Sequence, residues 1–118
     1  MTRRRRALVV EDEVLVGMLL EEMLRELGYE LAALSTHIDE ALTLARTAEF
    51  DVAVLDINLN GRQSFPVADE IRVRGLPFLF ATGYGSRILG AAYKDVPILQ
   101  KPFSLEELRV ALAKTGVA

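Results

Sequence analysis

The stretch Asp51-Val52-Ala53-Val54-Leu55-Asp56-Ile57-Asn58-Leu59 decides the fold. Residues 52–55 are an unbroken apolar run, which suits a strand buried on both faces of a parallel sheet better than an alternating edge strand. The run delivers a carboxylate, Asp56, at its C-terminal end. Ligands of open α/β sheets bind in the crevice beyond the carboxyl ends of the strands. An acid there is either a cap for the next turn or a reactive group, and the ends of the other strands decide which.

Upstream, residues 7–10 (Ala-Leu-Val-Val) read as a first buried strand ending in Glu11-Asp12-Glu13. A helix follows from about residue 13 to residue 27, closed by Gly28. Its predicted buried stripe is Val16, Leu19, Leu20, Met23, Leu24 and Leu27, with Val14 and Met18 left on the outer side. Residues 30–34 read as a second strand. Residues 38–48 read as a second helix, with Asp39 and Glu40 near its positive N-terminus. Downstream, Asn60-Gly61 marks a turn. Ser64 is placed as the N-cap of a third helix with Pro66 in its first turn, running to about Arg74. Residues 76–81 form a fourth strand ending at Thr82. Residues 83–94 hold Gly83, Gly85 and Gly90 and little apolar periodicity, which predicts a weak or short helix and low local stability. Ile98-Leu99 is the core of a fifth strand, ending at Gln100-Lys101-Pro102. Ser104-Leu105-Glu106-Glu107 is a capping box opening the last helix.

Five strands alternating with five helical segments predict an α/β fold, a doubly wound five-stranded parallel sheet with helices on both faces. Residues 1–6 are read as a basic N-terminal tail and 7–118 as one domain. The chain has 118 residues, 51% of them apolar, which argues against disorder. It has no Cys, excluding disulfides and thiolate metal sites and fitting a reducing cytoplasm. No apolar run is long enough to span a bilayer. Four of the fourteen basic residues are Arg3, Arg4, Arg5 and Arg6. Ten remain against seventeen acids, so the folded body is acidic and does not read as a nucleic-acid surface.

Four strand ends now share one rim: Glu11 and Asp12, Asp56, Thr82, and Lys101. Three carboxylates brought together repel unless a cation sits among them. Oxygen ligands with no His or Cys suit Mg²⁺, which takes few protein carboxylates and keeps several waters. Lys101 can pair with Asp56 and with a phosphoryl oxygen, and Thr82 can hydrogen-bond another.

On Val9-Val10-Glu11-Asp12-Glu13, Val54-Leu55-Asp56, Ala81-Thr82 and Lys101-Pro102-Phe103, the chain resembles the receiver domains of two-component response regulators over essentially its whole length. Within them, Phe80-Ala81-Thr82-Gly83-Tyr84 is similar to the subgroup of receivers with a Phe-Ala-Thr-Gly-Tyr motif, often stand-alone proteins. The resemblance implies a strand order of 2-1-3-4-5 and a phosphoacceptor role for Asp56, supplied by a sensor histidine kinase or a histidine phosphotransfer protein. It implies Mg²⁺ held directly by Asp12, Asp56 and the Asn58 backbone carbonyl, and by Glu11 through water. Thr82 would be the switch hydroxyl and Lys101 the phosphate bridge. The switch aromatic of the family, three residues before the Lys, is replaced here by Ile98, and Tyr84 is the substitute. Val14 and Met18 lie where the family docks its kinase.

The expected function is therefore a cytoplasmic phosphoacceptor signalling domain rather than an enzyme, with a downstream protein target. It would assist only its own phosphorylation and dephosphorylation. A phosphate sink or shuttle in a phosphorelay is the alternative. A small Mg²⁺-dependent aspartyl phosphatase fits less well, because it needs a second acid near the nucleophile and Asn58 stands two residues beyond Asp56.

Overall fold

Side chains alternate across each central strand and sort the core into two layers. The structure, a computed structural model, describes residues 4–83 and 91–117. In chain order the elements are β1 (Arg6–Val10), α1 (Val14–Glu26), β2 (Glu30–Ser35), α2 (Ile38–Thr47), β3 (Val52–Asp56), β4 (Asn58–Leu59), β5 (Arg62–Gln63), α3 (Phe65–Val73), β6 (Phe78–Thr82), a 3₁₀ turn (Ala91–Tyr93), β7 (Ile98–Gln100) and α4 (Leu105–Lys114). The main sheet runs β2-β1-β3-β6-β7, and every pairing in it is parallel. Counting only these five strands in sequence, this is the expected 2-1-3-4-5 order. Leu8, Val10, Ala53, Leu55 and Phe80 face α2 and α3, while Ala7, Val9, Val52, Val54 and Leu79 face α1 and α4. β3 lies between two paired strands and is buried throughout, as its unbroken apolar run requires.

Several local expectations shift. β1 begins at Arg6, inside the stretch read as a tail. The Arg6 N–H donates to Asp51 Oδ2 at 2.7 Å, and the Arg5 carbonyl accepts from the Glu30 N–H at 2.8 Å. Backbone pairing thus overrides the charge pattern there. In α1 the buried positions are Gly17, Leu20 and Leu24, and Leu19, read as part of the buried stripe, is 47% exposed. The reason is Gly17: a Cβ there would lie 2.9 Å from Leu34 Cδ1, so the helix rests closely on β2 through its glycine. Its outer side then carries Val14, Leu15, Met18 and Leu19. Ser64 occupies the N-cap position of α3, but its hydroxyl makes no capping bond; it is buried, and its N–H donates to the Ile57 carbonyl at 2.8 Å. The Ser104–Glu107 capping box is present in both directions, at 2.9 and 3.1 Å.

The Asn60-Gly61 turn closes a two-stranded hairpin, β4 against β5. Both turn residues have positive φ, 52° and 82°, as a type I′ hairpin turn requires. Of the segment 83–94, residues 84–90 lie outside the described residues, and with them Tyr84. Beyond them, Tyr93 is buried, stacked on Phe65 at 5.0 Å and edge-on to Phe80 at 5.6 Å. Its hydroxyl hydrogen-bonds Asp69.

Candidate functional site

Parallel strands bring their carboxyl ends to one rim, and here the rim carries charge. Glu11 and Asp12 follow β1, Asp56 closes β3, Thr82 closes β6, and Lys101 follows β7. The Lys101 Nζ lies 2.6 Å from Glu11 Oε1 and 3.3 Å from Asp56 Oδ2, so one ammonium bridges two carboxylates. Its backbone N–H donates to the Thr82 carbonyl at 2.9 Å, which ties β7 to β6 at the site. Glu11 Oε2 accepts from the Glu13 N–H at 3.1 Å, and Asp56 Oδ1 from the Asn58 N–H at 3.2 Å. Asp12 Oδ2 accepts from the Asn60 N–H at 3.0 Å. Thr82 is buried at the end of its strand.

Burial sets the proton balance. Glu11 is 1% exposed, and that burial pushes its carboxyl up to about 7 despite the bonds from Lys101 and the Glu13 amide. Asp56 is also raised, first by burial, with Glu11 and Lys101 opposing. For Asp12, burial is outweighed by the Asn60 amide and by hydrogen bonds with Glu11 and Asp56, so its carboxyl lies below the ordinary value. Lys101 loses by burial but gains more from Glu11 and Asp56, and stays charged above the ordinary lysine range. The site is thus a crowded carboxylate cluster, held by one lysine and able to take further positive charge.

A cleft of about 580 Å³ opens over these groups, lined by Asp12, Glu13, Asp56, Asn58, Gly61, Gly83 and Lys101. One oxygen each from Glu11, Asp12 and Asp56 lie within 4.8 Å of one another. An all-oxygen donor set of this charge, open to water on one side, fits a hard divalent cation that keeps waters. A separate groove of about 310 Å³ runs along β7 and α4, past Ile98 and Val110, and lacks such a convergence.

Of the residues singled out from sequence, Glu11, Asp12, Asp56 and Lys101 meet in this cluster, and Thr82 and Asn58 flank it. Val14 and Met18 are 57% and 56% exposed on α1. Sequence reading missed Leu15 and Leu19, 80% and 47% exposed beside them. The signal was Gly17, which marks the buried side and so points Leu15 and Leu19 outward. It also took Asn60 for a turn residue only, although its amide holds Asp12.

Fold and rim together define a parallel α/β domain with a lysine-bridged carboxylate site at its strand ends. Residues 7–113 match the model of the response regulator receiver domain family, and the chain belongs to that family. It is 35% identical over 112 residues to the transcriptional regulatory protein PdtaR of Mycobacterium tuberculosis, covering 92% of this chain and 55% of that one. The chain spans about half the length of the curated relatives it matches. Among solved structures it is similar to the solution structure of SdrG from Sphingomonas melonis Fr1, with 36% identity, a TM-score of 0.87, and 99% of this chain and 100% of that one covered. The receiver domain of PhyR from Erythrobacter litoralis is 25% identical with a TM-score of 0.82, covering 95% of this chain and 89% of that one. The protein is a response-regulator receiver, a signalling domain. Among the described residues no helix is long and apolar enough to cross a membrane.

Proposed function

We propose that this receiver acts in the cytoplasm, accepts a phosphoryl group on Asp56 from a phosphohistidine of a sensor kinase or phosphotransfer protein, and signals through the surface change that follows. The observation that carries this reading is the Lys101 ammonium set between Glu11 and Asp56, at 2.6 and 3.3 Å, with Asp12 in the same cluster. An Asp56 carboxylate oxygen attacks phosphorus, and the new O–P bond forms as the P–N bond to the donor imidazole breaks. The Lys101 ammonium is in place to follow charge from the carboxylate to a phosphoryl oxygen. The Asn58 amide, already on Asp56 Oδ1, holds the nucleophile's orientation. Asp12, Asp56, the Asn58 carbonyl and, through water, Glu11 would hold Mg²⁺, which when bound neutralises phosphoryl charge. The Thr82 hydroxyl would take a phosphoryl oxygen once the group is attached, with Tyr84 responding in place of the aromatic that Ile98 lacks.

The apolar outer side of α1 supports the kinase encounter. Val14, Leu15, Met18 and Leu19 are all exposed on the helix that starts two residues after Asp12. A patch of that kind, next to the reacting carboxylate, suits an apolar helix face of the donor. Incubation with acetyl phosphate and Mg²⁺ tests the acceptor role: a retarded Phos-tag band should form with the wild type and not with Asp56→Asn. A wild type that stays unshifted at millimolar phosphodonor contradicts it.

A further inference from the structure

The hairpin β4–β5 supplies Asn58 and Gly61 to the cleft lining. Between them, Asn60 makes two hydrogen bonds that leave the hairpin altogether. Its backbone N–H donates to Asp12 Oδ2 at 3.0 Å, and its side-chain Nδ2 donates to the Thr36 carbonyl at 3.0 Å. Asp12 follows β1 and Thr36 follows β2, so one turn residue ties the ends of β1 and β2 to the segment leaving β3.

The turn itself does not require this side chain. At φ 52° a glycine would serve the left-handed conformation at least as well. What asparagine adds over glycine is the Thr36 bond. That bond fixes the turn tip, and the tip carries the amide that holds one oxygen of Asp12. A carboxylate with one oxygen fixed has its plane constrained, while its remaining lone pairs stay available to a cation. Losing a partner that orients a metal-binding carboxylate typically costs about 10–100-fold in metal affinity.

We infer that Asn60 is a positioning residue for the divalent-cation site: its amide orients the Asp12 carboxylate, and its side chain, braced on Thr36, holds that amide in place. The inference rests on the reading of Asp12 as a metal ligand. It carries a consequence for selectivity. Mg²⁺ demands near-ideal octahedral geometry, whereas Ca²⁺ accepts variable and flexible coordination. Releasing the brace therefore weakens Mg²⁺ binding more than Ca²⁺ binding.

The test is calorimetric titration of purified wild type and Asn60→Gly with Mg²⁺ and, separately, Ca²⁺, alongside melting in chelator. Because the glycine keeps both the turn and the amide, the expected Mg²⁺ loss lies near the low end for removing an outer partner, roughly tenfold. The Ca²⁺ loss should be smaller, and the metal-free melting temperature should move little. In wild-type ¹⁵N spectra the Asn60 side-chain NH₂ signals should shift along the same Mg²⁺ saturation curve as the Asp12 and Asp56 amides. A second variant, Asn60→Asp, keeps the turn but sets an acceptor against the Thr36 carbonyl; it should bind Mg²⁺ more weakly despite its extra negative charge. Equal Mg²⁺ affinity of wild type and Asn60→Gly, parallel loss of both ions, or tighter binding by Asn60→Asp would overturn the inference alone. A wild type that bound neither ion would instead overturn the metal reading, and the inference with it.

Discussion

Replacing Lys101 by Met removes the one ammonium that bridges Glu11 and Asp56 while keeping most of the aliphatic stem. The side chains of Glu11, Asp56 and Lys101 are 1%, 10% and 20% exposed, so solvent screens the group only weakly. Breaking a buried ion pair from one side costs about 3–5 kcal/mol, because the remaining charge is left uncompensated. For a domain of this size that corresponds to a fall in melting temperature on the order of 10 °C. The cost must depend on pH. Glu11 already titrates at about 7, raised from 4.5 chiefly by burial, and its bond to Lys101 is the largest influence holding it down. Without the lysine it titrates higher still. Between 4.5 and about 7 the folded chain holds a proton that the unfolded chain has released, so metal-free wild type loses stability as pH rises through that window. In Lys101→Met the window extends to higher pH, so the penalty should be larger at pH 8 than at pH 5.5, by up to about 1.4 kcal/mol for the one pH unit above 7. Circular-dichroism melts in chelator at the two pH values measure this, and the chain's lack of Trp favours that probe over fluorescence. A variant as stable as wild type at pH 8, or one destabilised equally at both pH values, would refute the electrostatic account of the site.

Three further outcomes follow from named contacts. Asp12→Ala removes one of three clustered carboxylates and should weaken Mg²⁺ binding at least tenfold by titration. The metal-free melting temperature at pH 7 should fall slightly, because the Asn60 amide loses its acceptor and a carboxylate held below its ordinary range is lost. Leu15→Glu, at a position 80% exposed, should change stability by less than about 0.5 kcal/mol. It should slow phosphotransfer from a cognate kinase while leaving acetyl phosphate labelling unchanged. Gly17→Val forces two methyl groups against Leu34, which a single Cβ would already approach to 2.9 Å; urea unfolding should show a loss of about 1–3 kcal/mol.

The sheet was legible because its strands carry distinct local signals. The 52–55 run demands burial on both faces, and β3 lies between β1 and β6. The Ser104–Glu107 box marked the start of α4 where the backbone begins to wind. What was not legible depends on contacts between distant segments. Leu19 reads as buried from periodicity alone, and only the close approach of Gly17 to Leu34 turns it outward. Ser64 has the residue type of a cap, yet its hydroxyl is buried without a partner among the described residues. Glu11, Asp12, Asp56 and Lys101 could be gathered from sequence because each ends a strand or lies within two residues of its end, and parallel strands share one rim. Asn60 could not: its reach to Asp12 and Thr36 spans forty-eight and twenty-four residues, and Asn-Gly already has a sufficient local explanation as a turn.

The central claim is that Asp56 is the residue that carries the phosphoryl group. Its most direct test is intact mass measurement after incubation with acetyl phosphate and Mg²⁺, followed by borohydride reduction and peptide mapping to locate the acyl phosphate. The account predicts a single added phosphoryl mass, mapped to the peptide containing Asp56 and absent from Asp56→Asn. Stoichiometric labelling at another residue, or undiminished labelling of Asp56→Asn, would contradict it.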